Sequence, residues 1–339
     1  MPLSPAPSLL GLTPRPVART EDGVTARAVV DPAFEAFPGH YPGFPVFPGV
    51  CLVEYADQAV LADLAGRGHR AELAAVDRCR FREPVLPGDE LTFRAGYGQD
   101  VGVLGPAGAP GELRVDVTVE TARGRAAELR LRYRPPSDTA PGTPPPEPEP
   151  GRAAADRGPA PGPRTPDPGR PEADGPVERA DTAAITRIIP HRYPMLLVDR
   201  VTAAVPGSRL TAVKAVTVAE PPYRRLPPDA GPDAFRYPRP LLVESWAQAA
   251  VLLAVWDTPN PDVTTGKVEL AGAVDRVVFH RPVHPGDVLE HHVEVVRAVA
   301  DTTILAGRTL VNGLPAVEVG HFIVALRPLD SLVPGTPAG

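Results

Sequence analysis

Val76-Asp-Arg-Cys-Arg-Phe-Arg-Glu-Pro-Val-Leu-Pro-Gly-Asp-Glu-Leu91 lies over Val274-Asp-Arg-Val-Val-Phe-His-Arg-Pro-Val-His-Pro-Gly-Asp-Val-Leu289 at a constant offset of 198. Ten of the sixteen positions are identical, including all of Pro-Val-x-Pro-Gly-Asp. Upstream, Leu52-Val-Glu-x-x-x-Gln58 lies over Leu242-Val-Glu-x-x-x-Gln248 at an offset of 190, so the second copy carries a short insertion between the two blocks. Two collinear matches of this quality make the chain a tandem of two related domains. Within the first block Arg78, Arg80 and Arg82 alternate with Asp77, Cys79 and Phe81, the pattern of a half-buried strand, and Pro87-Gly88-Asp89 is a turn.

Working outward, apolar residues recur at helical spacing from Gly49 through Val50, Val53, Ala56, Val60, Leu61 and Leu64, and Gly66 ends the run. Strands are expected at 90–96, 113–121 and 126–133. The second copy reads alike, with a helix over 241–256 and strands near 270–280, 288–299, 302–312 and 315–326. One long helix and a run of antiparallel strands per copy predict an α+β fold, each helix wrapped by a curved sheet.

The chain has 339 residues, which suits two domains of ordinary size, and 43% of them are hydrophobic, enough for two cores. Fifteen of the 47 prolines fall between Pro135 and Pro176, a window without Val, Ile, Leu, Met, Phe, Tyr or Trp. Such a segment cannot bury anything and is expected to be a disordered linker. The predicted boundaries are 1–134 for the first domain, 135–180 for the linker and 181–330 for the second domain. A net charge of −6 gives no general affinity for nucleic acid. Cys51 and Cys79 sit among apolar neighbours and read as core thiols. The N-terminal residues lack the pattern of a signal peptide, and the longest apolar stretch, 241–256, is broken by Glu244 and Gln248 and is too short to span a bilayer. A cytoplasmic, soluble protein is expected.

The first copy contains Gly39-His40-Tyr41-Pro42-Gly43-Phe44-Pro45-Val46-Phe47-Pro48-Gly49-Val50, with Glu54 four residues on. This stretch resembles the active-site segment of the β-hydroxyacyl-acyl carrier protein dehydratases of fatty acid and polyketide synthesis, which have a hot-dog fold; Tyr41 in place of Phe is a mild departure. The second copy opens with Ile189-Pro-His-Arg-Tyr-Pro-Met-Leu-Leu-Val-Asp-Arg200, similar to that family's N-terminal segment. The resemblance covers about 20–134 and 183–328 and implies two tandem hot-dog domains forming a pseudo-dimeric double hot dog. It also implies dehydration of 3-hydroxyacyl thioesters to trans-2-enoyl thioesters, a hydro-lyase reaction that requires no cofactor, with an acyl carrier protein as partner.

The residues suit that chemistry. A histidine suits removal of an α-proton at neutral pH. A carboxyl group in an apolar site, its pKa raised, suits protonation of the leaving hydroxyl. The free N–H groups of a helix starting at Gly49 and Val50 suit a developing enolate oxygen. In the family each site takes its histidine from one domain and its acid from the other. The resemblance therefore pairs His40 with Glu244 and leaves Glu54 facing a degenerate second site. The stretch matching His40 in the second copy is Ala234-Phe-Arg-Tyr-Pro-Arg-Pro-Leu-Leu-Val-Glu244, which puts Arg236 at the histidine's place and reads as six residues shorter. Arginine stays protonated and cannot act as the base. Glu54 is then expected to be idle or ion-paired to Arg236. Gln58 and Gln248, one turn after each acid, either orient the carboxylate or serve helix packing. Tyr41 lines the pocket or packs.

His280, His284, His291 and His292 lack metal-site spacing, so no metal is expected. His191 reads as a capping or packing residue. Arg78, Arg80 and Arg82 form a strand face suited either to an acidic carrier protein or to solvent. Two other readings stand beside the dehydratase: a hot-dog acyl thioesterase, and a subunit active only with a second dehydratase. A homodimer of double hot dogs is also open.

Overall fold

The computed structural model of the protein describes residues 14–98, 101–104, 111–136, 176–264 and 266–329. Most of the expected linker, 137–175, lies outside the described residues. The first half runs β1 (Arg15–Thr20), β2 (Gly23–Val29), a short helix α1 (Phe37–His40), the long helix α2 (Gly49–Gly66), β3 (Glu72–Phe81), β4 (Glu90–Tyr97), β5 (Leu113–Thr121) and β6 (Gly124–Arg134). The second half runs β7 (Glu178–Ala180), α3 (Thr182–Ile185), β8 (Arg200–Val205), β9 (Arg209–Ala215), α4 (Arg239–Ala254), β10 (Lys267–Phe279), β11 (Val288–Val299), β12 (Thr302–Val311) and β13 (Leu314–Pro328). Strand β7 pairs with β8, so the second domain begins at Glu178, inside the segment the sequence assigned to the linker.

All the strands join one antiparallel sheet in the order β1-β2-β4-β5-β6-β3-β10-β13-β12-β11-β9-β8-β7. The halves meet where β3 pairs with β10, Val274 opposite Cys79 and Val277 opposite Val76. The two sheets are therefore continuous, and each curls around its own long helix, giving two hot-dog domains side by side. Across the seam Arg80 makes two hydrogen bonds to Asp275, at 2.5 and 2.7 Å. This fork-to-carboxylate geometry fixes the register of the two halves.

Both central helices are enclosed. Thirteen of the sixteen residues of α4 are buried, so it is enclosed on every side and shows no amphipathic stripe. Helix α2 buries most of its length and is tied near its C-terminus by Asp63, whose side chain is fully buried. That carboxylate accepts from Tyr97 Oη (2.5 Å) and Arg67 Nε (2.7 Å) and pairs with Arg19 (2.9 Å), which offsets the cost of burying a charge. Each helix starts immediately after a proline, Pro48 or Pro238. Among the described residues no helix is long and apolar enough to cross a membrane.

Candidate active site

Helix α1 is a single turn that ends on His40, and the loop from Tyr41 to Pro48 then leads into α2. Within that loop His40 Nδ1 lies 3.0 Å from the carbonyl of Val46. A carbonyl can only accept, so Nδ1 carries the proton and Nε2 keeps a free lone pair. His40 is 8% exposed, and burial pushes its pKa from 6.5 down to about 4, partly opposed by the Val46 bond. At neutral pH it is an uncharged base.

Glu244 enters the same space from the second turn of α4. Its carboxyl is buried, and desolvation raises its pKa, with the Gln248 hydrogen bond acting the other way. Gln248 Nε2 donates to Glu244 Oε1 (2.9 Å) and to the carbonyl of Met195 (2.6 Å), while its Oε1 accepts from the N–H of Leu197 (2.9 Å). Gln248 thus both orients the acid and anchors the segment preceding β8.

That segment brings in a residue whose role the sequence did not reveal. His191 Nε2 lies 3.6 Å from Glu244 Oε1, and its ring stands edge-on to His40 with centroids 5.4 Å apart. Side-chain donor atoms of His40, His191 and Glu244 all lie within 4.8 Å of one another. Burial and the neighbouring His40 keep the His191 pKa well below its ordinary value. Two neutral imidazoles and one carboxyl thus converge where the domains meet. They are also the residues that could hold a metal ion, although a tetrahedral shell would need its donors drawn closer, to roughly 3.3 Å apart. His191 reaches this position because the main-chain N–H of Arg192 donates to the carbonyl of Gly39 at 2.7 Å.

The three residues line a cavity of about 530 Å³ that also includes Gly49, Val50, Phe81, Val274 and Phe322. The N–H groups of Gly49 and Val50 open α2 and have no intrahelical acceptor. A Cβ at Gly49 would come within 2.6 Å of the Phe81 ring, so this glycine makes room for that side chain. Tyr41 stacks on His40 at 4.5 Å, and its hydroxyl donates to the main-chain carbonyl of Glu269. It therefore offers the cavity its ring and not its hydroxyl. The inserted loop of the second copy closes over it: Val263 packs with Tyr41 and Val46, and a Cβ at Gly43 would meet Thr264 at 2.7 Å.

The other half differs from expectation. Phe47 N donates to Val85 O (2.8 Å) and Tyr237 N donates to Val283 O (2.7 Å), the same bond in the two copies. This register makes Arg236 the counterpart of Val46 and not of His40. The loop is also not shortened. From Val30, which donates to Asp89 O, to the start of α2 is 19 positions; from Val216, which donates to Asp287 O, to the start of α4 is 23. The histidine turn is replaced by a longer loop with single turns at Pro221–Tyr223 and Pro232–Phe235. Nor does Arg236 pair with Glu54: its guanidinium meets Asp233 at 2.8 Å and Glu72 at 3.6 Å. Glu54 is buried and accepts from Gln58 Nε2 at 3.1 Å.

The three arginines in and just after β3 have separate fates. Arg80 is committed to Asp275, and Arg82 pairs with Glu128 at 3.0 Å at the edge of the cavity. Arg78 is exposed and has no ion pair among the described residues. Of the C-terminal histidines, His291 is buried between Ser245 Oγ (2.7 Å) and Thr309 Oγ1 (2.8 Å), while His280 and His292 each face their own glutamate, Glu318 and Glu290.

The family described as ApeI-like (ApeI dehydratase) matches residues 17–102, and the FabA-like domain matches residues 189–320. The 3-hydroxyacyl-[acyl-carrier-protein] dehydratase FabZ of Anaeromyxobacter sp. (strain Fw109-5) is 43% identical over 141 residues, 41% of this chain and 85% of that protein. The FabZ of Myxococcus xanthus (strain DK1622) is 38% identical over 151 residues, 44% of this chain and 94% of that protein. Among solved structures, the dehydratase domain of RzxB from Pseudomonas fluorescens superposes with a TM-score of 0.56 at 12% identity, covering 91% of this chain and 96% of that one. The dehydratase domain of PpsC from Mycobacterium tuberculosis, in complex with C12:1-CoA, gives 0.55 at 12% identity, covering 95% and 100%. These two likenesses bear on the fold alone.

Proposed function

The chain belongs to the family of the 3-hydroxyacyl-[acyl-carrier-protein] dehydratases FabZ, and from that premise we propose that it removes water from 3-hydroxyacyl thioesters on an acyl carrier protein. One site per chain does the work, built from His40 of the first domain and Glu244 of the second. The observation that carries this reading is their convergence on one cavity from different domains, with donor atoms within 4.8 Å.

In this mechanism His40 Nε2 takes the proton from C2 of the thioester, and negative charge builds on the thioester oxygen. The N–H groups of Gly49 and Val50, at the positive end of α2, stabilise that charge. The C2–C3 double bond forms as the C3–O bond breaks. Glu244, whose hold on a proton is strengthened by burial, gives its proton to the leaving hydroxyl, which departs as water. His40 then holds one proton and Glu244 lacks one. Their proximity, with His191 beside both, allows the proton to return before the next turn.

The acidic carrier protein approaches the rim where Arg82 and Arg327 line the cavity. Arg80 is half as exposed as Arg82 and is turned to Asp275 across the seam, so it contributes less to that contact.

Mass spectrometry of a 3-hydroxyacyl carrier thioester incubated with the protein tests the reaction. Loss of one water with the wild type, and none with His40→Ala, is expected. Release of the free acid would make the protein a thioesterase, and no change would overturn the reading of a self-sufficient enzyme.

A further inference from the structure

The cavity holds a second carboxyl group that the elimination does not use. Glu269, on β10, is 2% exposed and lines the same space as His40, Tyr41 and Glu244. Neither of its carboxyl oxygens has a hydrogen-bond partner among the described residues. Its main-chain carbonyl accepts from the hydroxyl of Tyr41, the residue whose ring stacks on His40.

A contrast makes this notable. Glu72, buried near the start of β3 on the other side of the seam, meets Arg134 at 2.8 Å, Arg239 at 3.2 Å and Arg236 at 3.6 Å. One buried glutamate is surrounded by guanidinium groups, while the one in the open cavity is left bare. Burial pushes the Glu269 pKa up to about 7, with its own main-chain N–H acting weakly the other way. Near neutrality about half of it is thus the uncharged acid, with one O–H to donate and one C=O to accept. An unpartnered buried carboxyl costs free energy that a ligand with a matching group would recover.

We infer that Glu269 is a specificity residue, positioned to hydrogen-bond a hydroxyl group carried on the acyl chain beyond C3. Leu270, Val274 and Phe322, which line the same cavity, are apolar and suit a hydrocarbon chain. An oxygenated chain therefore satisfies Glu269, and a plain alkyl chain leaves it desolvated and unpaired, which is a strong basis for rejection. This selectivity deepens the dehydratase reading and rests on the same cavity.

The test is equilibrium binding, which requires no turnover. Saturated acyl-pantetheines of equal length, one plain and others with a single hydroxyl placed beyond C3, are titrated into wild type, Glu269→Gln and Glu269→Leu. The wild type is expected to bind one hydroxylated chain at least tenfold more tightly than the plain chain. Glu269→Gln keeps most of that preference, and Glu269→Leu abolishes or reverses it. Equal binding of all chains by the wild type overturns the inference, as does a preference that survives in Glu269→Leu. Dehydration of 3-hydroxyacyl thioesters with and without the further hydroxyl, assayed alongside, separates the two questions: absence of turnover with both counts against the dehydratase reading, while the binding preference decides the role of Glu269.

Discussion

The main-chain N–H of Arg192 donates to the carbonyl of Gly39 at 2.7 Å, joining the segment that carries His191 to the turn that carries His40. Gly39 is glycine because a Cβ there would lie 2.5 to 2.8 Å from the main-chain atoms of Arg192, Tyr193 and Pro194. The active-site turn of one domain is thus moulded against the entry segment of the other.

Gly39→Ala should therefore damage the site without touching a reacting group. The backbone on both sides must move, at a cost of about 1–3 kcal/mol in stability. Steady-state kinetics should show kcat/KM falling at least tenfold, and a denaturant titration should show the loss in stability. Wild-type values for both would mean that the two segments are not held together.

Gln248→Ala tests how the acid is positioned. The change removes the bond to Glu244 and leaves Met195 O and Leu197 N–H without their partner. A loss of about 1–3 kcal/mol in stability is expected, together with a kcat lowered more than KM is raised. A wild-type kcat in Gln248→Ala would mean that the amide does not orient Glu244.

The pH dependence of stability reports on His40. Its pKa is near 6.5 unfolded and about 4 folded. Above pH 6.5 neither state binds the proton and the group makes no difference. As pH falls from about 6.5 towards 4, the unfolded chain takes up a proton that the folded protein refuses, so stability declines, by an amount on the order of 3 kcal/mol for this group. Denaturant titrations at pH 7 and pH 5 should show a smaller decline for His40→Asn than for the wild type. Equal declines would place His40 in a solvated setting.

Carrier recognition separates two neighbouring arginines. Arg82→Ala should raise KM for the carrier-bound substrate and weaken its dependence on salt, leaving a pantetheine substrate unaffected. Arg80→Ala breaks the seam pair with Asp275 and should lower stability while altering the salt dependence less. Identical effects of the two on KM would contradict this division.

How far the sequence could be read follows from what spacing records. The second part of β3, from Asp77, alternates clearly and was legible as a strand. Its first five residues, Glu72 to Val76, are buried on both faces and carry no alternation. Strand β1 is exposed at every position and gives no pattern either. The meeting of His40 and Glu244 followed from a family likeness and not from periodicity, since nothing in linear spacing encodes a contact between domains. His191 and Glu269 were missed for the same reason, because what matters about each is what a distant segment places beside it. The alignment of Arg236 with His40 failed because one loop had been replaced by another of different length, and only the paired bonds of Phe47 and Tyr237 reveal the true register.

The most direct test of a single site shared between the domains is the turnover of two matched variants, Glu244→Gln and Glu54→Gln, on a 3-hydroxyacyl carrier thioester. Both glutamates are buried on equivalent turns of their helices, so any structural cost should be similar. Glu244→Gln is expected to abolish dehydration, and Glu54→Gln to retain most of it. Full activity in Glu244→Gln with loss in Glu54→Gln would contradict the cross-domain site and place the acid in the same domain as His40.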